Sequence, residues 1–594
     1  MLREFKTIRL VEFLNLSQAI LSPTSRSFPR AKTQSLDDFL SSIEQYYNSS
    51  QMDAIEKSCS MTSGIMLLQG PPGTGKTQTI KGILSGILDK HKDSTSILVC
   101  APSNAAVDEI AKRVITDKLY SHDGKSKDNL NYLRIGNLKK TPVDIRDCKK
   151  PIRETPVEVE RITLNYKTQE LIKDYIVNTN LTSLMETQAN LEKNIQSKQS
   201  TNFNQSASSE EKNSLNFKEK IINKDTLEQK KHVESVLLNS AHIVFTTLSG
   251  AGGKEMVLLK HDFDYVIVDE ACQSVELSTL IPLQFNAKVL ILIGDPNQLP
   301  ATTFNLKSKK NKYSRSLFER LMLGGCRVNM LTVQYRMVDD ICEFSSKAFY
   351  KSHLQSDDNN SVKSPSWVKS SGLWIFDLQT SQESQNNDET SIFNLKEIAF
   401  IRQIYRQISH LHKRNLNIGI ITPYKKQALM IKDNLTEHYK DDWKIDIEVN
   451  TVDGFQGREK DIIIFSSVRS GDSLGFLTDK RRMNVAITRA KFALWIVGAV
   501  KCLEKNKYWE MLVSYCKEKQ RVVSCKGFKE ARRFFTEERN VREKVKRDIS
   551  PYARKLNLKM DMDMELELDA QKVFRIKRLK KEIKVDGMIE SKLW

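Results

Sequence analysis

What this 594-residue chain lacks narrows the reading first. Its nine cysteines, at positions 59, 100, 148, 272, 326, 342, 502, 516 and 525, never fall in a C-x-x-C pair. That spacing excludes a clustered zinc or iron–sulfur centre and gives no disulfide framework. It leaves reduced thiols, several of them expected in strands as small core residues. No apolar run approaches the ~18 residues needed to cross a bilayer. The opening MLREFKTIRLVEFL carries charges throughout and has no long apolar core, so it does not read as a signal peptide. A soluble intracellular protein with no membrane association is the expectation.

Apolar content is not lacking. With 39% hydrophobic residues and 8% aromatics the chain can bury real cores, which excludes wholesale disorder. The balance of 93 Lys+Arg against 74 Asp+Glu leaves a net charge of +19. Such a surface suits a polyanionic partner, because each phosphate neutralised releases a counterion. Charge alone does not decide the matter, since many basic proteins bind no nucleic acid.

Short apolar strands alternate with helical stretches over residues 44–325: Ile65–Gln69, Ile97–Ala101, His242–Thr246, Tyr265–Val268 and Val289–Ile293. A second series comprises Gly372–Phe376, Ile418–Thr422, Ile447–Thr451, Ile462–Ser467 and Phe492–Val497, within residues 326–535. Strands this uniformly apolar are buried on both faces, which points to an α/β fold with two units built on parallel sheets. Residues 140–240 interrupt the first unit with helical spacing (Leu164, Leu171, Leu181, Leu184, Leu191, Ile195), a polar turn at Ser197–Ser209 and a returning helix over Glu219–Leu238. They read as a projecting helical hairpin or as a partly disordered insertion. Gln355–Ser370 and Gln379–Glu389 read as surface insertions. Residues 1–43 form an N-terminal helical segment and 536–594 a charged tail. Within the tail, Arg575–Lys581 reads as an import signal, a nucleic-acid-binding segment or a solvated charge run.

The strongest chemical signal is Gly70-Pro71-Pro72-Gly73-Thr74-Gly75-Lys76-Thr77, between a strand and a helix. This is the phosphate-binding loop in its required context. Its glycines let backbone N–H groups wrap phosphates at a helix N-terminus. Lys76 is expected to reach the β- and γ-phosphates of ATP, and the Thr77 hydroxyl to bind Mg²⁺. Tyr265–Val268 ends in Asp269-Glu270, carboxylates at the phosphate-facing edge of the sheet. Asp269 would hold Mg²⁺ and Glu270 would activate the attacking water. Gln298, in Gly294–Pro300, is placed to sense the γ-phosphate. Arg336 and Arg489 are candidate arginine fingers, a device worth about 10³–10⁵ in rate, although residue type alone does not separate them from surface arginines.

Taken in order, these motifs resemble those of superfamily 1 helicases, in the 5′→3′ group (superfamily 1B). The match runs from about Asn48 to Gly498: Asn48–Gln51, the phosphate loop, Ala101–Glu109, Thr246–Gly250, Asp269–Ala271, Gly294–Pro300, Gln334–Met337, Thr422–Tyr424, Val452–Asp461 and Arg482–Ala490. The resemblance implies two tandem RecA-like domains. It implies that Gln51 reads adenine, that Tyr335 stacks on it and that Glu459 contacts the ribose, with Arg336 and Arg489 as the fingers. Pro102, Ser103, Asn104, Thr247, Thr422, Pro423 and Thr451 would line a groove for single-stranded RNA or DNA, touching mostly phosphate and sugar. It also implies that closure of the domains on ATP drives stepping.

The senataxin-like branch, related to the nonsense-mediated-decay helicase, fits best. Ala101–Glu109, Leu133–Gly136, Gly475–Leu477 and the opening Leu2–Ile8, similar to a stalk helix, carry that reading. Relatives hold a small β-barrel before the first motif, for which the residues present here are too few. The barrel is then lost, or the sequence is a piece of something longer. The implied activity is an ATP-dependent 5′→3′ helicase in RNA processing, transcription termination or RNA–DNA hybrid removal. Such a protein is expected to act as a monomer in the nucleus, with the cytoplasm as alternative and transcription or RNA-processing proteins as partners. An ATP-gated RNA clamp without unwinding is the competing reading, and a small-molecule enzyme is disfavoured because no substrate-pocket motif accompanies the set.

Overall fold

The computed structural model describes residues 15–23, 33–92, 94–127, 130–136, 156–178, 228–303, 311–357, 372–385, 391–408, 417–440, 442–443, 447–532 and 534. The chain divides into two compact units. The first takes in the residues up to Pro71, then Gly75–Pro296 and Pro300–Leu331. The second runs from Thr332 and includes the short segments Pro72–Thr74 and Asn297–Leu299.

The first unit is built on a 7-stranded sheet. Its strands are β1 (Gly64–Gln69), β2 (Ile97–Ala101), β3 (Tyr132–Ile135), β4 (Ile243–Thr247), β5 (Tyr265–Val268), β6 (Val289–Gly294) and β7 (Val328–Met330). They lie in the order β3-β4-β2-β5-β6-β1-β7, and every neighbouring pair is parallel. Alternate residues along a strand enter different cores, as the period of two requires. Met66 and Leu68 join the layer formed with α2 (Ser49–Ser60), α3 (Lys76–Lys90) and α4 (Asn104–Thr116). Ile65 and Leu67 join the opposite layer with Leu317, Phe318 and Leu321.

Helix α1 (Gln34–Ile43) is capped by the Thr33 hydroxyl, which accepts from Leu36 N at 3.3 Å. Its Leu36, Phe39 and Ile43, spaced for one helical face, pack into the α3 layer. This part of the expected N-terminal segment is therefore core of the first unit. Leu2–Ile8 lies outside the described residues. The inserted region contributes α5 (Leu164–Asn178), with Leu164 buried and Leu171 exposed, and a helix over 228–239. Leu181, Leu184, Leu191, Ile195, the polar turn after them and the tail with Arg575–Lys581 lie outside the described residues.

The second unit carries a 6-stranded sheet of β8 (Gly372–Leu378), β9 (Ile418–Thr422), β10 (Ile447–Thr451), β11 (Lys460–Ser466), β12 (Ala490–Gly498) and β13 (Val522–Cys525). The order is β10-β9-β11-β12-β8-β13, again parallel throughout. Phe376, Ile420, Ile464 and Trp495 from the sheet share one core with Ile401 and Ile404 of α6 (Leu395–Ile408) and Ile431 and Leu435 of α7 (Lys425–Tyr439). Two further helices, α8 (Lys480–Ile487) and α9 (Lys507–Glu518), follow β11 and β12 respectively.

Three strands of the two large sheets escape the sequence pattern. β3 carries a charged residue at its centre, β7 is three residues long, and β13 exposes Ser524. Pairing of β7 with β1 carries the first sheet past residue 325. The cysteines differ in part from expectation. Cys100 and Cys525 lie in strands, whereas Cys59, Cys342, Cys502 and Cys516 lie in helices, and all of the described cysteines are buried, with no disulfide among them.

One buried acid ties α6 to the end of β11. Glu397 is fully buried, and its two carboxylate oxygens accept from Val468 N at 3.0 and 2.9 Å and from the Ser466 hydroxyl at 2.6 Å. Burial outweighs these bonds and pushes the carboxyl from 4.5 up to about 7. The folded state thus holds the proton more tightly than the unfolded chain. Stability present below pH ~4.5 is lost as pH rises to about 7, by roughly 3 kcal/mol, and is flat beyond. Glu397→Gln, which cannot titrate, should gain on the native chain between pH 5 and pH 8, as read by urea melts at each pH.

Candidate nucleotide and nucleic-acid sites

Because the strands of the first sheet are parallel, their C-terminal ends share one edge, with Gln69 of β1 in register with Gly294 of β6. The loop after β1 turns through Gly73 and Gly75 at φ +77° and +75°, a region that L side chains avoid. A Cβ at Gly75 would stand 2.6 Å from Gln51 Nε2. Gln51 is buried, and its Oε1 accepts from Asn48 N at 3.1 Å in the capping box that opens α2. A Cβ at Gly70 would collide with the Lys76 side chain, whose Nζ donates to Gly70 O at 3.2 Å and lies 3.7 Å from Glu270 Oε1. No side chain caps the start of α3, and its first N–H groups and dipole favour an anion. Thr77 is half-buried in that first turn.

Asp269 follows β5 directly and is 6% exposed. Its Oδ1 is buried with no hydrogen-bond partner. Burial first, then the charge of Glu270, pushes its carboxyl well above the usual carboxylate range, while Lys76 pulls the other way. A buried oxygen of this kind is costly unless something positive meets it. The donor set of Asp269 and the Thr77 hydroxyl therefore fits a divalent cation accompanying a nucleotide, with oxygen ligands only. Glu270 adopts φ +50°, a strained conformation for a non-glycine, and Gln273 Nε2 donates to its Oε2. Gln69 Nε2 donates to Asp295 Oδ1 at 3.1 Å, bracing adjacent loops of the same edge, a pair to which sequence reasoning gave no role.

The candidate strand-contacting residues of the first unit end β2 and β4 on this same edge. Ser103 caps α4 by accepting from Ala106 N at 3.2 Å, and Thr247 Oγ1 accepts from Gly250 N at 3.0 Å. Pro102 is half-buried. Asn104 Oδ1 accepts from Arg134 Nη2 at 2.9 Å. Arg134, 1% exposed on β3, also donates through Nε to Asp108 Oδ1 at 2.8 Å and through Nη1 to Ile135 O. In the sequence the signal for this arginine is its place in the otherwise apolar run Tyr132-Leu133-Arg134-Ile135.

In the second unit the remaining residues form two sets. Arg336 Nε donates to Glu459 Oε2 at 2.6 Å, and Lys491 Nζ lies 3.1 Å from Oε1, so cations already engage both Glu459 oxygens. Arg489 is buried, donating through Nε to Val485 O at 2.9 Å and through Nη2 to Gln298 Oε1 at 3.0 Å. Tyr335 is 36% exposed. Glu459 and Arg489 immediately precede β11 and β12. Thr422, Pro423 and Thr451 instead sit at the C-terminal ends of β9 and β10, where Thr422 and Thr451 are in register. Thr422 is fully buried and its hydroxyl has no partner, whereas Thr451 Oγ1 accepts from Gly454 N at 3.2 Å.

Two family models, each described as an AAA domain, match residues 46–306 and 313–501. The probable helicase MAGATAMA 3 of Arabidopsis thaliana is 31% identical, over 92% of this chain and 69% of that protein. The chain belongs to the senataxin-like superfamily 1 helicases. Helicase sen1 of Schizosaccharomyces pombe is 33% identical over 86% of this chain but 32% of its own length. The chain thus spans a third or less of the yeast Sen1 helicases and of the mammalian senataxins it matches. A crystal structure of Arterivirus nonstructural protein 10 (helicase) is 11% identical with a TM-score of 0.33, covering 75% of this chain and 61% of that one, a likeness too loose to carry an argument. Membership of the helicase family implies use of a nucleotide and a divalent metal. Among the described residues, no helix is long and apolar enough to cross a membrane.

Two substitutions test this geometry. Gly75→Ala should weaken binding of a fluorescent ATP analogue at least ~10-fold, since it forces both φ and the Gln51 contact. Arg134→Ala should lower unfolding free energy by about 3–5 kcal/mol in chemical denaturation, because it strands Asp108 beside a buried void.

Proposed function

We propose that this chain is an ATP-dependent helicase or translocase that moves 5′→3′ on single-stranded RNA or DNA. Its setting would be nuclear RNA processing, transcription termination or the removal of RNA–DNA hybrids, and it would act as a monomer. The carrying observation is the shared edge of the first sheet. The loops after β1, β5 and β6 bear the nucleotide chemistry, and the loops after the adjoining β2 and β4 bear the candidate strand contacts. A rearrangement of one loop set is felt by the other through strands paired side by side.

ATP is the substrate, and Mg²⁺ when bound neutralises charge on its phosphates. Lys76 would hold the β- and γ-phosphates, with Gln51 and Tyr335 on the adenine and Glu459 at the ribose. Thr77 and Asp269 would hold the metal. Glu270 would orient the attacking water and take its proton, and its strained backbone keeps the carboxylate at the strand end. Arg336 and Arg489 would act as fingers on the transferring phosphoryl group, with Gln298 reporting its state to Arg489. Backbone contacts from Ser103, Asn104, Thr247 and Thr451 give strand binding without sequence preference. Nuclear location and transcription or RNA-processing partners are proposed on relationship alone.

The test is ATP hydrolysis with and without a single-stranded oligonucleotide, paired with strand displacement on 5′- and 3′-overhang duplexes. Hydrolysis should rise strongly with either RNA or DNA. Glu270→Gln should lose about 10²–10⁴-fold of it, the worth of a positioned acid–base group, and Lys76→Ala should lose nucleotide binding. Equal hydrolysis with and without nucleic acid rejects the motor. Stimulated hydrolysis without displacement on either overhang would instead show an ATP-gated clamp.

A further inference from the structure

Strand binding without sequence preference usually joins backbone contacts to aromatic rings on which bases stack, and none of the candidate groove residues Pro102, Ser103, Asn104, Thr247, Thr422, Pro423 and Thr451 is aromatic. Among the described residues of the second unit, two aromatic side chains are large and exposed: Tyr335, already given to adenine, and Phe476, at 52%. We infer that Phe476 is a stacking platform for a base of the bound strand. The inference rests on the proposed strand-binding function and adds to it the residue that meets the bases.

Phe476 is presented by a built turn. Gly475 sits at φ +52°, and a Cβ there would stand 2.5 Å from Arg469 Nη2 and 2.7 Å from Tyr424 Oη. The chain passes this point only as glycine. Arg469 in turn is fixed, donating through Nε to Tyr424 Oη at 2.7 Å and through Nη1 to Glu383 Oε1 at 3.0 Å. The Tyr424 ring meets Phe476 edge-on, with centroids 5.6 Å apart and planes at 66°, a favoured aromatic geometry. The Arg482 guanidinium lies 5.4 Å from the Phe476 centroid. A ring braced in this way by an aromatic edge and a cation, yet half open to solvent, is held for contact rather than for packing.

Its surroundings identify the occupant. Phe476 borders a shallow recess lined also by Pro423, Val452, Leu477 and Met483. Pro423 and Val452 directly follow Thr422 and Thr451, the candidate backbone-contacting residues at the ends of β9 and β10. Lys425 and Lys480 are exposed at the starts of α7 and α8, while Asp453 and Asp479 are paired with Arg482. An apolar recess with an exposed ring, and with exposed lysines two residues after Pro423 and three after Leu477, suits a chain of stacked bases on a phosphate backbone better than a purely apolar protein segment.

The experiment is fluorescence anisotropy of the full chain with a labelled single-stranded oligonucleotide, (dT) or (U), across a salt series. Phe476→Ala should weaken binding by about 5- to 150-fold, the span of one base–aromatic stack. Its salt dependence should be unchanged, because no phosphate contact is lost. Phe476→Trp should restore affinity, and on an abasic strand the native chain should lose its advantage over Phe476→Ala. If the native chain binds and Phe476→Ala binds equally well, or if Phe476→Trp fails to restore binding, the stacking role is overturned while strand binding stands. If the native chain binds no strand at all, the helicase reading falls and this inference with it. Thermal melts of each variant, expected to match the native chain at so exposed a site, exclude unfolding as the cause.

Discussion

A parallel sheet ends all its strands on the same side, and in the first unit this constraint decides where chemistry can occur. Backbone N–H groups at the start of α3, the carboxylates after β5 and the Asp295 loop after β6 meet at one edge because β5, β6 and β1 are hydrogen-bonded neighbours. The same edge continues across β2 and β4, bringing Ser103, Asn104 and Thr247 onto it. Separation along the chain is large, but distance across the edge is only strand spacing, about 4.8 Å per step. Any motor built on this unit can couple nucleotide to strand with short loops.

The second unit obeys the same rule with the opposite outcome. Glu459 and Arg489 precede β11 and β12, so they stand at the N-terminal edge, while Thr422 and Thr451 end β9 and β10 at the other. The segment from Val452 to Glu459 runs from one edge to the other, and its short helical turn Asp453–Phe455 buries Phe455. That arrangement makes the segment a rigid link rather than a slack loop. A displacement of Glu459, which both Arg336 and Lys491 hold, has a direct covalent path to Thr451.

The legible parts of the sequence were those where one residue type does one job. Continuous Ile, Val and Leu runs marked the buried strands, and the glycines, lysine and threonine of residues 70–77 marked the phosphate loop, whose positive φ values the structure then shows. Strands β3, β7 and β13 were illegible because their stability comes from neighbours and not from their own pattern. Phe476 was illegible for a related reason. A phenylalanine in a sequence reads as core, and only the turn at Gly475 and the bracing by Tyr424 and Arg482 show it exposed. Glu397 likewise looks like an ordinary surface charge until its burial is known.

Two buried charged residues on the first sheet separate architecture from chemistry. Arg134 has each of its nitrogens met: Nε by Asp108, Nη2 by Asn104 and Nη1 by the Ile135 carbonyl. A cation so completely satisfied gains nothing from a ligand, and its work is to fix the start of α4 in a single position. Asp269 is equally buried but keeps one oxygen unmet. In low dielectric that deficit is relieved by a proton or by an incoming cation. The raised proton affinity of Asp269 and its fitness for a metal therefore have the same cause, and a metal ion held there would compete with a proton for the carboxyl. Arg134 thus belongs to the scaffold, whereas the unmet oxygen of Asp269 stands beside the phosphate loop, where a cation can complete it.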